Sequence, residues 1–265
     1  MTSPELDTSS LDTARRLAET GDLDRAAAIF MKLSADPAGP DAAQAAVGLA
    51  VVLQERGDLA GARAAARAAL ASGHPEYAAQ AACHLARGFE REGATDQARA
   101  AWQAVLGVGT VTYLPLAHLA LARLSTQQGE LLDAERELRA AISVGDPELG
   151  PRAAQELAEL LLDQGEPGEA AEVLLEALAG AKGAAVGRLR VLLGIAHLEL
   201  ACGEFAGAVE EGEEPQTVAL SIELLARTLP LRGRADDAER VWAYGLDHPD
   251  DTLATEVRLR LDRDA

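Results

Sequence analysis

The chain has 265 residues, of which 48% are hydrophobic and 3% aromatic, and its formal net charge at pH 7 is −19. Nucleic acid and anionic membranes bind proteins through positive counter-charge, so we expect neither as a partner. The two cysteines lack the spacing of metal ligands or of a disulfide framework. We therefore expect no metal and no cofactor.

Seven glycines mark the predicted elements in chain order. The first five are 36 residues apart, and two more follow at intervals of 38 and 30: Gly21, Gly57, Gly93, Gly129, Gly165, Gly203 and Gly233. An alanine stands seven residues before each glycine, and another stands five residues after it. A fixed period of this length predicts an array of stacked structural repeats.

Each repeat is predicted to be a helical hairpin. Within Ala79–Gly93, Ala82, Leu85, Ala86 and Phe89 are apolar at i, i+3, i+4 and i+7, which is one face of an α-helix. The glycine ends this helix, because glycine adopts the left-handed cap conformation without steric cost. A second helix with the same spacing follows, and stacking of neighbouring hairpins completes the core.

A helix, a Gly-Asp turn and a second helix together resemble the tetratricopeptide repeat. The second unit carries the pattern as Leu49-Ala50, Gly57-Asp58 and Ala62, although the usual unit is two residues shorter and has an aromatic early in its first helix. The resemblance implies an all-α, right-handed α-α superhelix of about seven hairpins, forming one solenoid over residues 1–265. It also implies that the first helices line a concave groove that binds extended or helical peptides.

The later repeats are predicted to be irregular. We expect regular repeats over residues 7–178, a glycine-rich joint over 179–188, and degenerate repeats with a C-terminal capping helix over 189–265. After the turn at Gly203 we expect a short helix over 205–211 and an acidic loop, since Gly212 and Pro215 cannot extend a helix. This break is either a hinge or docking element, or a decayed repeat. Along the whole sequence, no apolar stretch approaches the length of a membrane span.

Basic side chains are predicted to line the groove. The candidate binding residues on the first helices are Arg87, Arg91, Arg123, Arg152, Arg190, His197 and Arg227. Because the guanidinium group binds carboxylate and phosphate through a planar fork, they favour a partner with acidic side chains, a C-terminal carboxylate or a phosphate. Alternatively, acids on the same face, such as Glu90 and Glu223, neutralise them. The Lys and Asn of the family's carboxylate-clamp members are missing, so we do not predict a receptor for chaperone tails.

The sequence favours a protein-interaction adaptor that holds a peptide or partner protein in the groove. A regulatory sensor of a signalling peptide or small ligand is the alternative, and an enzyme is the least favoured, since no catalytic constellation is present and no catalytic residue is assigned. Four leucines offer a partner helix an apolar surface, and one of them, Leu162, is also a candidate dimer contact: Leu116, Leu119, Leu162 and Leu193. The N-terminus has no signal-peptide pattern and the composition is typical of a GC-rich bacterial gene, so we expect a cytoplasmic bacterial protein. The sequence leaves the oligomeric state open.

Overall fold

The computed structural model describes residues 10–262, and these residues form fourteen α-helices, two short 3-10 turns and no strands. The 3-10 turns are Val111–Tyr113 and Leu229–Arg232. The helices are α1 Ser10–Glu19, α2 Leu23–Ser34, α3 Ala42–Glu55, α4 Leu59–Ala71, α5 Pro75–Arg91, α6 Thr95–Val108, α7 Leu114–Gln127, α8 Leu131–Ser143, α9 Leu149–Asp163, α10 Pro167–Gly180, α11 Ala184–Glu211, α12 Pro215–Thr228, α13 Ala235–Leu246 and α14 Asp251–Leu261. The predicted all-α class is confirmed, while the predicted start of the array at residue 7 lies outside the described residues.

The chain divides into two compact units, one ending at Gly150 and the other beginning at Pro151. In the first unit the helices pair into four hairpins, α1–α2, α3–α4, α5–α6 and α7–α8. The second helix of each of the first three hairpins also packs against the first helix of the next. In the second unit α11 packs against α10 and α12, and α12 packs against both α13 and α14.

The turn glycines explain why the hairpins form where they do. Six of the seven have φ values between +70° and +83°, a conformation that side chains with a Cβ rarely adopt. The residue after the glycine is then the N-cap of the second helix, for example Asp22, Asp58 and Ala94. Where it is aspartate, as at Asp58, its carboxylate accepts a hydrogen bond from the Gly61 amide at 2.9 Å. The Gly-Asp pair thus both ends one helix and caps the next.

The alanine positions form the contacts between helices. All seven alanines that precede the glycines are buried, and six of the seven that follow them are buried as well. Larger side chains fill the remaining core, including Trp102, Leu138 and Leu174, which are buried on second helices. Trp242, on the second helix α13, is only half-buried.

The sixth glycine, Gly203, does not form a turn. It lies inside α11, which runs without a break for 28 residues, so the expected separate helix over 205–211 is wrong. The predicted glycine-rich joint is also shorter, because only Ala181–Gly183 separates α10 from α11. A second helix in this repeat would end at Gly212 after about two turns. It would bury little apolar surface, so a continuous helix competes with the hairpin even though it contains glycine.

Helix α11 is also the most apolar long element of the described chain. By length and composition alone it could cross a membrane: an 18-residue window reaches a mean hydropathy of 1.4, and 11% of that window is buried. The expectation that no stretch approaches a membrane span is therefore corrected. At the C-terminal end, α14 buries Leu253 and Val257, whereas Leu261 is exposed.

Candidate functional site

The positions six residues before each turn glycine are exposed in every repeat. These positions are Arg15, Val51, Arg87, Arg123, Glu159, His197 and Arg227. The basic residues at these and nearby positions differ in whether an acidic side chain is paired with them. This difference divides the candidate binding residues into two groups.

Three of the predicted binding arginines are already paired with acids. Arg123 contacts Glu90 Oε1 at 2.6 Å, Arg152 contacts Glu156 Oε1 at 2.9 Å, and Arg227 contacts Glu223 Oε1 at 2.9 Å. The last two pairs join residues one helical turn apart. A partner anion must compete with these carboxylates. At these three positions the arginines are therefore neutralised by acids of the same chain, as in the alternative considered from the sequence.

Arg87 and Arg91 on α5 are different. Both are exposed, and neither forms an ion pair with any residue between 10 and 262. They are separated by one helical turn, so their side chains lie on the same face of α5. Two like charges at this spacing repel each other by roughly 0.2–0.5 kcal/mol, a cost that a bridging anion removes.

A cavity of about 250 Å³ lies beside this arginine pair, where the α3–α4 turn meets α5. Its walls include Gln54, Arg63, His84 and Arg91. Arg63 is paired with Glu92, which also lines the cavity, whereas Arg91 is not paired. The cavity therefore offers one uncommitted guanidinium group at its rim.

His84 adds an unusual group to the same cavity. Its Nε2 atom is buried and has no hydrogen-bond partner. Burial, together with the nearby charges of Arg91 and Arg87, lowers the pKa of His84 below its ordinary value of 6.5, although a hydrogen bond with the backbone of Ala50 opposes this. The imidazole is thus neutral at pH 7. Its one N–H group donates to the Ala50 backbone, so Nε2 can accept a hydrogen bond from a ligand.

The two remaining predicted residues, Arg190 and His197, lie on α11 in the second unit. Both are exposed and neither has an ion-pair partner in the part of the chain that the structure describes. They are two helical turns apart on one side of α11. The predicted binding residues therefore do not form one continuous set: the unpaired ones occur on α5 and on α11.

The predicted apolar contacts need correction. Leu119 is buried, and Leu116, Leu162 and Leu193 are half-buried, so none is a freely exposed anchor. Cys83, on the first helix α5, is also buried, and burial raises the pKa of its thiol to about 11. A thiol with that pKa is protonated at pH 7 and is a poor nucleophile.

Sequence reasoning missed a second concavity, which lies beside Gly203. It has a volume of about 630 Å³ and is lined by α11, α12, α13 and the α9–α10 turn. The irregular glycine spacing marked this region but did not indicate a cavity. Among residues 10–262, no three His, Cys, Asp or Glu side chains are grouped so that they could hold a metal ion.

Comparisons with known proteins give two matches at the level of families. Residues 11–80 match a tetratricopeptide repeat profile, and residues 106–224 match a tetratricopeptide repeat-like domain. No curated protein sequence matches the chain.

Solved structures give matches of low identity. Pseudomonas aeruginosa PilF has 18% identity and a TM-score of 0.47, with 94% of this chain and 95% of that chain covered. A tetratricopeptide repeat protein from Parabacteroides merdae has 15% identity and a TM-score of 0.47, covering 95% and 97%. The type IV pilus biogenesis factor PilW has 18% identity and a TM-score of 0.45, covering 96% and 99%. At these values the likenesses support no inference about function.

Proposed function

The chain belongs to the tetratricopeptide repeat family, whose repeats generally mediate binding to other proteins, and we propose that it is an adaptor that binds an acidic segment of a partner protein across α5. Arg87 and Arg91 bind carboxylate or phosphate groups of that segment. The Nε2 atom of His84 accepts one hydrogen bond from an N–H group of the segment at the adjoining cavity. The partner chain is otherwise free to extend along the exposed positions of the neighbouring first helices.

The observation that carries this proposal is the uncommitted charge of the α5 arginine pair. The chain has 43 acidic residues and 24 lysines and arginines, so carboxylates are available to pair with every arginine. Arg123, one repeat further along, does have such a partner. Arg87 and Arg91 have no such carboxylate partner. Their two exposed guanidinium groups, one helical turn apart, form a local bidentate site for an anion.

The overall charge of −19 makes this site selective. The field of the whole protein repels anions at long range, and salt screens that repulsion. A segment with one isolated acid gains too little to overcome the repulsion, whereas two acids spaced to reach both arginines gain two charge-assisted hydrogen bonds. Affinity should therefore depend on the spacing of the acids, not only on their number.

Fluorescence anisotropy with two labelled peptides tests the proposal. One peptide is rich in glutamate, and the other has glutamine in place of each glutamate. We expect the acidic peptide to bind more tightly to the wild type and to lose about tenfold in affinity, or 1.4 kcal/mol, for each arginine removed by Arg87→Gln or Arg91→Gln. The double variant loses the preference for the acidic peptide.

Arg67→Gln is the matched control, because Arg67 is exposed on the second helix α4 and its loss changes the net charge equally. If Arg67→Gln weakens acidic-peptide binding as much as Arg87→Gln does, the effect comes from net charge and the α5 site is rejected. Equal binding of both peptides to the wild type would reject the acidic partner but leave an interaction role intact.

A further inference from the structure

The sixth repeat encodes a hairpin that the folded chain does not form. Ala196, Gly203 and Ala208 occupy the same positions as the alanines and glycine of every other hairpin. In the other six repeats the alanine after the glycine is buried, but Ala208 is half-exposed. The surface that a hairpin would bury is therefore left open along a continuous helix, α11.

A groove with an apolar floor and charged edges lies next to this open surface. We define the α11 groove by Leu162, Cys202, Ala206, Leu225 and Val241, which line the cavity of about 630 Å³ together with four charged side chains: Glu199, Arg234, Asp237 and Arg240. A smaller cavity of about 320 Å³ shares three of these residues and extends the groove to Tyr244, which is 52% exposed. The groove follows α11 from Gly203 towards its C-terminal end.

The two ends of α11 differ in charge. Arg188 and Arg190 lie in its first two turns, whereas five glutamates lie between Gly203 and the end of the loop that follows α11: Glu204, Glu210, Glu211, Glu213 and Glu214. Arg190 and Glu211 are both exposed and are separated by about 30 Å along the helix at 1.5 Å per residue, so they cannot pair within one chain while α11 is continuous.

We propose that two copies of the chain associate through α11, with the two helices antiparallel and crossing between Leu200 and Gly203, so that Arg190 of each copy lies close to Glu211 of the other. The first half of α11 in one copy then packs beside the second half of α11 in the other copy. Together these two halves occupy the places of the first and second helices of a regular hairpin. This is a hairpin exchanged between two chains, and its two-fold symmetry makes the surface self-complementary.

The features of α11 favour a second copy over an unrelated partner. The chain itself carries both halves of the missing hairpin, so the complementary surface is present on any other copy. An antiparallel arrangement brings the basic start of one α11 to the acidic end of the other, whereas a parallel one would place like charges together. Gly203 is exposed, and a Cβ atom at this position meets no atom within 4 Å, so another backbone can approach closely.

Light scattering during gel filtration of the full chain tests the association. We expect a concentration-dependent species of twice the chain mass, which weakens as salt increases because its charged ends are exposed. Arg190→Glu and Glu211→Arg should each shift the association at least fivefold to higher concentration. The double variant should restore it, since both charges are reversed together. Arg67→Glu on α4 should leave it unchanged.

A cysteine at the crossing point gives a positive signal that does not depend on weakening the dimer. Gly203→Cys should form an intermolecular disulfide under mild oxidation, because the two copies of this position meet near the two-fold axis. Gly187→Cys, also exposed on α11 and open at the Cβ position, should not, because it lies several turns from the axis. Both native thiols are buried and their pKa values are raised by burial, so they do not compete.

A single chain mass at all concentrations overturns the proposal, as does equal cross-linking of the two cysteine variants. Failure of the double charge reversal to restore a dimer that the single variants lose also rejects the antiparallel arrangement. If the chain stays monomeric and instead binds neutral lipid vesicles, the apolar surface of α11 faces lipid. If it stays monomeric and retains a copurified small molecule, the groove is a ligand site.

Discussion

The indole Nε1 of Trp102 donates a hydrogen bond to Glu90 Oε1 at 2.8 Å. The same carboxylate oxygen accepts from Arg123 at 2.6 Å, so one glutamate on α5 joins the second helix of its own hairpin to the first helix of the next. Arg123 is thereby a structural residue, although its sequence position is equivalent to that of the unpaired Arg87.

The Trp102 contact leads to a prediction about stability. Trp102→Phe should lower the free energy of unfolding by about 1–3 kcal/mol, because it leaves a small cavity and removes a buried hydrogen-bond donor. Glu90→Gln keeps an acceptor for the indole and loses only the ion pair with the half-exposed Arg123, so its cost should stay below about 1 kcal/mol. Urea denaturation measures both. A larger loss for Glu90→Gln than for Trp102→Phe would contradict this ranking.

The periodic features of the sequence were sufficient to predict the fold of the regular repeats. Glycines such as Gly57 and Gly93 determine where helices end, and this depends on a backbone conformation that few other residues adopt. Which arginines are paired with an acid was not predictable. Arg87 and Arg123 occupy equivalent positions and differ only in the acids that neighbouring helices bring close to them. Pairing across helices depends on side-chain geometry that the repeat pattern does not contain.

A missing helix cap in the third repeat offers a stabilising substitution. Ala94 is the N-cap residue of α6 and has φ −83° and ψ 70°, close to the −80° and 76° of Asp58, but its side chain cannot cap the helix. Ala94→Asp should therefore raise the free energy of unfolding by about 1 kcal/mol, because its carboxylate can accept from the first amides of α6.

Two measurements check this gain. Urea denaturation of Ala94→Asp at neutral pH gives the stability difference, and Ala94→Asn tests whether a neutral cap gives a similar gain. The reverse change, Asp58→Ala, should cost about 1 kcal/mol. A neutral or destabilising effect of Ala94→Asp would mean that the amides of α6 are already satisfied by water.

His84 should make stability depend on pH. Its pKa in the folded protein is lowered, mainly by burial, so below pH 6.5 the unfolded chain binds a proton more readily than the folded chain does. His84 therefore destabilises the fold increasingly as the pH falls through 6.5 and then through its lowered folded pKa. Above that window it has no such effect.

Comparing the wild type with His84→Gln isolates this titration from the many carboxylates. We expect the wild type to lose more stability than His84→Gln between pH 7.5 and pH 5, measured by urea denaturation at several pH values. Parallel pH profiles for the two proteins would show that the ring is protonated equally easily in both states.

The contrast between Gly165 and Gly203 gives the clearest test of why the array loses its regularity. The two glycines occupy the same place in the repeat, but Gly165 has φ +80° and ends α9, whereas Gly203 lies within α11. The repeat pattern alone could not distinguish the two glycines, since the outcome depends on how much surface the following helix buries.

Gly165→Ala should lower the free energy of unfolding by about 1–2 kcal/mol, because alanine resists the left-handed conformation. Below the concentration at which the proposed dimer forms, Gly203→Ala should stabilise the fold by up to about 1 kcal/mol, since it improves helix propensity and meets no neighbouring atom of its own chain. Both values come from urea denaturation, with far-ultraviolet circular dichroism to verify the helix content. If Gly203→Ala destabilises the protein as much as Gly165→Ala does, the chain forms a turn at Gly203 in solution and α11 is two helices.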